Sequence, residues 1–337
     1  MQAAVLEAFG RMVVREVPRP EAGPDEALIR VGFAGICGTD LHIWKGEHPT
    51  AVVPVIPGHE FAGTLAAACG AHPAGTPVVV YPLLTCGTCR VCREGLAHVC
   101  ENLRVLGVHQ DGAFAEYVKV PAANLLPLPA GLALRDAALI EPVAVAVHVV
   151  SRSPLRVGDA VLVIGAGPIG LLVGLVARLQ GAAQVFVSEV NPHRLRLAKE
   201  LGLVAIDSSA ADVAREVRGM TDGVGADVVF ETAGVPLAAA QMVKAARVRG
   251  AIVLVGIHGA PAPMDLTICV FSELTLIGSR VYTRVDYERA IRLVAAGQVK
   301  GDGLVTGVLG LAEITRGFAS LMTSGSPEVK LLVDPQR

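Results

Sequence analysis

The chain is poor in aromatic side chains, in net charge and in long unbroken apolar runs. Aromatic residues make up 4% of 337 positions, and 29 lysines and arginines nearly cancel 31 aspartates and glutamates, leaving a formal net charge of −2. With no basic run and few aromatics to interleave with one, the electrostatic footprint of nucleic-acid binding is missing, so nucleic acid is excluded as a partner. The one uncharged stretch long enough to imitate a membrane span, residues 160–177, contains Gly165, Gly167, Pro168, Gly170 and Gly174. A buried strand, a tight turn and a buried helix explain it better, and no membrane partner is expected. Residues 1–14 carry Glu7 and Arg11 where a signal peptide needs an unbroken apolar core, which leaves the cytoplasm as the expected compartment.

Chains longer than about 250 to 300 residues usually split, so two domains are expected. Between 156 and 280, short apolar runs alternate with helical patterns. Strands are expected at 161–164, 185–187, 204–206, 227–230, 251–255 and 274–277, with a helix at 171–179, as in a doubly wound parallel sheet. Before this segment, Val-rich runs are broken by Pro18, Pro20, Pro24, Pro54, Pro57, Pro77 and Pro82, the pattern of a β-rich, barrel-like domain. After it, 287–296 has helical periodicity and 330–333 reads as a closing strand. The expected fold class is α/β: a β-rich domain over 1–145 and 282–337, interrupted by a Rossmann nucleotide-binding domain over 146–281.

Cys86, Cys89, Cys92 and Cys100 are spaced C-x2-C-x2-C-x7-C within a lobe at 84–102. Four thiolates this close can wrap one tetrahedral Zn²⁺, whereas disulfides would close short, strained rings; disulfide or redox chemistry is the alternative. A second constellation lies upstream, in Cys37-Gly38-Thr39-Asp40-Leu41-His42 and Gly58-His59-Glu60. Thiolate, imidazole and carboxylate together suit a catalytic zinc with an open position. Singly, each has an ordinary reading: Cys37 a buried small hydrophobe, His59 a core histidine, Glu60 a surface charge. Cys69 and Cys269 lack a partner pattern and read as inert buried thiols.

Gly165-Ala166-Gly167-Pro168-Ile169-Gly170 follows an expected strand and opens an expected helix, the context in which a glycine fingerprint signals a dinucleotide site. Gly165 permits the turn, Gly167 lets backbone approach the pyrophosphate, Gly170 allows close helix packing, and the helix N-terminus stabilises the phosphates. Glu189, ending the second strand, would accept hydrogen bonds from the adenosine ribose and repel a 2′-phosphate, favouring NAD over NADP. A solvated strand-end carboxylate is the alternative, and Arg194 could bind a phosphate instead.

Over essentially its whole length the chain resembles the zinc-dependent medium-chain alcohol and polyol dehydrogenases. The resemblance is carried by Gly35-Ile36-Cys37-Gly38-Thr39-Asp40-Leu41-His42, Pro57-Gly58-His59-Glu60-Phe61-Ala62-Gly63, the four-cysteine lobe, Glu141-Pro142 and the glycine turn. It implies a GroES-like catalytic domain and two zinc ions per chain, one structural and one catalytic. It further implies Cys37 and His59 as catalytic zinc ligands, with Glu60 or Glu141 as the third. Glutamate at 141, where members acting on simple alcohols often have cysteine, points to the polyol, butanediol and threonine dehydrogenase side. By the same resemblance Thr39 and His42 form a proton route through the cofactor ribose, although His42 could be an ordinary surface histidine. Val255, Gly256, Ile257, Ser279 and Arg280 join Pro168 and Ile169 as cofactor contacts.

Other positions carry two readings. His148, seven residues after Glu141, shares its helix face or is structural. Arg280 and Tyr282 contact substrate or pack at an interface, and Trp44 walls a pocket or fills the core. Ile43 stands where sorbitol dehydrogenases typically have tyrosine, against sorbitol itself. The expected function is oxidation of a secondary alcohol of a polyol, diol or sugar acid to its ketone by hydride transfer to NAD⁺, in a homodimer or homotetramer. L-Threonine 3-dehydrogenase is one alternative; a non-catalytic zinc-stabilised nucleotide-binding or redox-sensing protein is another.

Overall fold

The computed structural model describes residues 1–337 and divides into two compact units, Met1–Glu141 with Thr283–Arg337, and Pro142–Tyr282. The first is built around the strand Glu26–Gly35, whose buried positions largely alternate with more open ones, the period of a sheet with one face in a core. It pairs antiparallel with Glu60–Leu65, Tyr117–Pro121 and Lys330–Asp334, and Pro77–Val80, Leu125–Pro127 and Val305–Gly310 complete seven strands. Ile29, Val31, Phe61, Leu65, Val78, Phe114 and Phe318 lie in one continuous core.

The register of this sheet positions chemistry. Gly35 stands opposite both Glu60 and Leu332, so the chain leaving Gly35 toward Cys37 runs beside Glu60 and beside the start of the last strand. A backbone bond from the Ile36 N–H to the Leu331 carbonyl fixes that exit. The lobe at 84–102 has only a short helix, Arg90–Arg93, and one 3₁₀ turn, Ala97–Val99; Cys100 is its one buried residue.

The second unit carries a six-stranded, all-parallel sheet in the order Val204–Asp207, Gln184–Glu189, Ala160–Ile164, Ala226–Glu231, Ala246–Leu254, Thr275–Gly278. This doubly wound order places the loops that follow the strands along one carboxyl edge. Boundaries differ from the sequence expectation where polar residues mask an element. The strand expected at 251 begins at Ala246, because Arg247, Arg249 and Gly250 break its apolar pattern beside a register shift opposite Ala226 and Val228. The helix expected at 287 begins at Arg284, started by a capping box between Thr283 and Asp286. The helix after the glycine turn begins at Pro168, since proline at the first helical position needs no N–H. No helix is long and apolar enough to cross a membrane.

Candidate functional site

Cys37 is the N-cap of the helix Gly38–Lys45, and Asp40 on the first turn accepts a hydrogen bond from the Cys37 N–H at 2.8 Å through Oδ2. The other oxygen of Asp40 faces His59 Nδ1 at 3.7 Å. A carboxylate behind an imidazole orients the ring and leaves the second nitrogen for a metal. The Cys37 sulfur, a His59 ring nitrogen and a Glu60 carboxylate oxygen lie within 4.8 Å of one another. Gly58 makes the turn into this pair with φ of +100°, and a side chain there would press on Phe114.

The electrostatics of the group are those of a cation site. Burial and the charge of Glu60 push the Cys37 thiol up. Burial opposes charge on His59, but Asp40, Cys37 and Glu141 outweigh it and hold the imidazole well above its ordinary range. Burial likewise raises Asp40, against the pull of His59. Glu60 Oε1, His59 Nδ1 and Asp40 Oδ1 are buried without a hydrogen-bond partner. Sulfur, nitrogen and oxygen donors gathered around buried His59 and Glu60, with Glu60 Oε1 left unpartnered, fit Zn²⁺.

Of the two carboxylates anticipated as third ligand, the structure brings Glu60 into this group. Glu141 is buried in the first turn of the helix Ile140–Arg152 and acts on His59 through its charge, but is not one of the three clustered donors. His148 is buried on the same helix, within the second unit. Thr39 is half-buried in the turn after Cys37, and His42 Nδ1 lies 3.0 Å from Glu47 Oε2. Trp44 packs on Phe318 with ring centroids 5.4 Å apart, a core contact, and Ile43 is fully buried. Tyr282 is fully buried and Arg280 exposed. Cys69 and Cys269 are only half-buried: they pack against the rim of a core from a small bridge to His72 and from the helix Leu266–Phe271. Around this group two residues escaped the sequence reading. Asp40 stood inside a quoted motif without a role, and Lys330, whose Nζ lies 2.6 Å from Glu60 Oε2, read only as the start of a strand.

In the lobe, Cys100 Sγ lies 3.5 Å from Cys86 Sγ and 3.9 Å from Cys89 Sγ, and all four sulfurs fall in one cluster. Four sulfurs at about 2.3 Å from a tetrahedral zinc stand about 3.8 Å apart, so the lobe matches a Cys₄ site and not a pair of disulfides. The N–H groups of Cys86 and Asn102 point at Cys100 Sγ, and that of Cys89 at Cys86 Sγ. Backbone donors from Thr88 and Cys89 pull Cys86 down to about 5, whereas burial, then the sulfurs of Cys89 and Cys100, push Cys92 up to about 12. Four thiolates cannot coexist this closely without a cation.

On the second unit, Gly165 turns with φ of +101°, and a Cβ on Gly170 would collide with the Gly165 carbonyl oxygen. Gly167 then caps the helix Pro168–Leu179, in which Ile169 is half-buried. Glu189 is locked beside this turn: Oε2 accepts from the Ala166 N–H at 3.0 Å, and Oε1 from Val190 and Asn191 at 2.7 and 3.1 Å. Arg194 Nη1 lies 3.8 Å from Glu189 Oε2, a long ion pair with no hydrogen bond. Val255 and Gly256 donate their N–H groups to the Glu231 carbonyl, Ser279 its own to that of Leu254, and Ile257 is exposed. All lie past the carboxyl ends of their strands, on the edge that carries the glycine turn. Fully buried Glu231, which accepts from Ala233 and Gly234 and faces His258 Nε2 at 3.2 Å, was not anticipated, although it ends an apolar strand as Glu189 does.

Residues 23–130 match the alcohol dehydrogenase GroES-like domain and residues 168–296 the zinc-binding dehydrogenase domain. The 2-dehydro-3-deoxy-L-galactonate 5-dehydrogenase of Pseudoalteromonas atlantica is 42% identical over 94% of this chain and 92% of its own. The L-threonine 3-dehydrogenase of Mesorhizobium japonicum is 36% identical over 94% of each. A chain from Sinorhizobium meliloti solved with NADP bound superposes with a TM-score of 0.94 at 36% identity, over 99% of both. The protein therefore belongs to the zinc-binding medium-chain alcohol and polyol dehydrogenases and is an oxidoreductase of that type.

Proposed function

We propose that this protein oxidises a secondary alcohol of a sugar acid, polyol or diol to its ketone with NAD⁺, with Cys37, His59 and Glu60 as the donors of a catalytic zinc. The cluster of half-buried Cys37 with buried His59 and Glu60 carries the proposal. Zinc held there supplies Lewis acidity that lowers the pKa of a hydroxyl and polarises a ketone. Asp40 lies beside the His59 ring as a charge partner, and Thr39 with His42 offers the released proton a way out, His42 being paired with Glu47 at the surface. The lobe cysteines hold a second, structural zinc, and such a thiolate set belongs with a reducing compartment, the cytoplasm.

Resemblance to the sugar-acid dehydrogenase of P. atlantica favours a sugar acid as substrate; resemblance to L-threonine 3-dehydrogenases keeps threonine as the second reading. NADH appearance with sugar acids, polyols, 2,3-butanediol, threonine and ethanol, with zinc counted on the same sample, decides between them. Turnover of a sugar acid with two zincs per chain is the expected result, and turnover of threonine alone would replace it. One zinc and no turnover even after adding Zn²⁺ would mark a non-catalytic nucleotide-binding protein.

The fixed carboxylate of Glu189 supports NAD, because a 2′-phosphate near it would meet like charge. Glu189→Ala should shift the ratio of kcat/KM for NAD⁺ over NADP⁺ toward NADP⁺ by about ten- to a hundredfold, roughly 1.4 to 2.8 kcal/mol. An unchanged ratio would move the choice of cofactor elsewhere.

A homodimer or homotetramer is supported by the strand Thr275–Gly278, which is paired on one side only, carries exposed Leu276 and follows a helix with exposed Leu266, Val270 and Phe271. A bare strand edge with apolar neighbours calls for a second copy. Phe271, 84% exposed, is the sharpest probe: Phe271→Glu should convert the homodimer or homotetramer into smaller species in analytical ultracentrifugation. An unaltered sedimentation coefficient would place the interface elsewhere.

A further inference from the structure

We infer that Lys330 is a positioning residue that keeps Glu60 a weak, exchangeable donor to the catalytic metal. The inference rests on the reading of Cys37, His59 and Glu60 as the metal site. Lys330 opens the strand Lys330–Asp334 and is 2% exposed, and lysines are almost never so buried without a partner. Its ammonium donates to Glu60 Oε2 at 2.6 Å and to the Ile36 carbonyl at 3.0 Å, so one cation ties together the two segments that bear Glu60 and Cys37. Gly35 leaves room for this arrangement, since a Cβ there would collide with the same Glu60 oxygen. Glu60 thereby divides its two oxygens: Oε2 is bonded to Lys330, while Oε1 is buried with no hydrogen-bond partner.

A carboxylate whose charge is shared with an ammonium binds a second cation less strongly, and the two cations repel across it. Glu60 under Lys330 is then a donor that a substrate hydroxyl displaces easily. Freed of Lys330, it would give its whole charge to the metal, which would be held more tightly and opened less readily. A lysine that merely neutralises a buried acid predicts the reverse, with a loosened site once the pair is broken.

The test uses protein carrying Co²⁺ in the catalytic site and zinc in the lobe, with imidazole as the exchangeable ligand followed in the visible cobalt spectrum. Lys330→Met should bind Co²⁺ about tenfold more tightly and imidazole about tenfold more weakly than the wild type. Glu60→Gln alone should change imidazole affinity by less than about threefold, and adding it to Lys330→Met should restore that affinity, a double-mutant cycle with a large coupling. Weaker Co²⁺ binding or unchanged imidazole affinity in Lys330→Met would overturn the inference. If Lys330→Met fails to fold, Glu60→Gln still decides, because a change of about tenfold or more would show Glu60 to be a strong ligand despite Lys330. Failure of the underlying metal assignment looks different: no Co²⁺ would bind that Cys37→Ser removes.

Discussion

Cys37→Ser should lower kcat/KM by about a thousandfold or more, near 4 kcal/mol of transition-state stabilisation, while the chain stays folded. The size follows from the chemistry of the donor. A neutral hydroxyl does not replace a thiolate at zinc, and His59 and Glu60 alone make a poor site. The fold is spared because Cys37 is an N-cap, a position serine fills at least as well, so the helix Gly38–Lys45 and the bond from residue 37 to Asp40 persist. Zinc content should fall from two ions per chain to one with thermal unfolding little changed. Activity near that of the wild type would remove the catalytic metal from this site.

The second large effect belongs to the lobe. Removing its sulfur keystone with Cys100→Ala should abolish the structural zinc and raise the rate of tryptic cleavage after Arg90 and Arg93 by about two orders of magnitude, without abolishing the Cys37 site. Cys100 Sγ lies within 4 Å of the Cys86 and Cys89 sulfurs, accepts from the N–H groups of Cys86 and Asn102, and belongs to the only buried residue at 84–102. With Cys100 the one buried residue there, a metal on the four cysteines would take the place of a core, and in zinc-finger peptides such a metal contributes on the order of 10 to 16 kcal/mol of apparent binding energy to folding. Proteases read the opened population, so loss of the metal appears as cutting. Unchanged cleavage in a variant that has lost one zinc would show that the lobe is ordered by something else.

Local features were legible from sequence and distant ones were not. The four cysteines lie within one loop, the glycine turn within six residues, and the six parallel strands each within a short apolar run, so periodicity and spacing reached them. The competition between Glu60 and Glu141 could not be resolved that way, because it depends on the pairing of Gly35 with Glu60 across a sheet. Lys330 was hidden more deeply: it stands 270 positions from Glu60, and nothing in the run Lys330-Leu331-Leu332-Val333 says that its first residue points at a buried glutamate. Glu231 and Asp40 are similar cases, buried acids whose partners come from folding. The late start assigned to the strand Ala246–Leu254 has a different cause, since polar residues broke the pattern while backbone pairing continued through them.

The closing strand Lys330–Asp334 has a consequence for the birth of the protein. At about 5 to 20 residues per second, a ribosome would deliver Lys330 roughly 15 to 55 s after Glu60, with the whole nucleotide-binding unit made in between. Throughout that interval the nascent sheet has an unmatched edge along Gly35 and an acid with no ammonium beside it. The group of Cys37, His59 and Glu60 thus gains its buried ammonium late, only once the strand Lys330–Asp334 has been made and has paired beside Gly35.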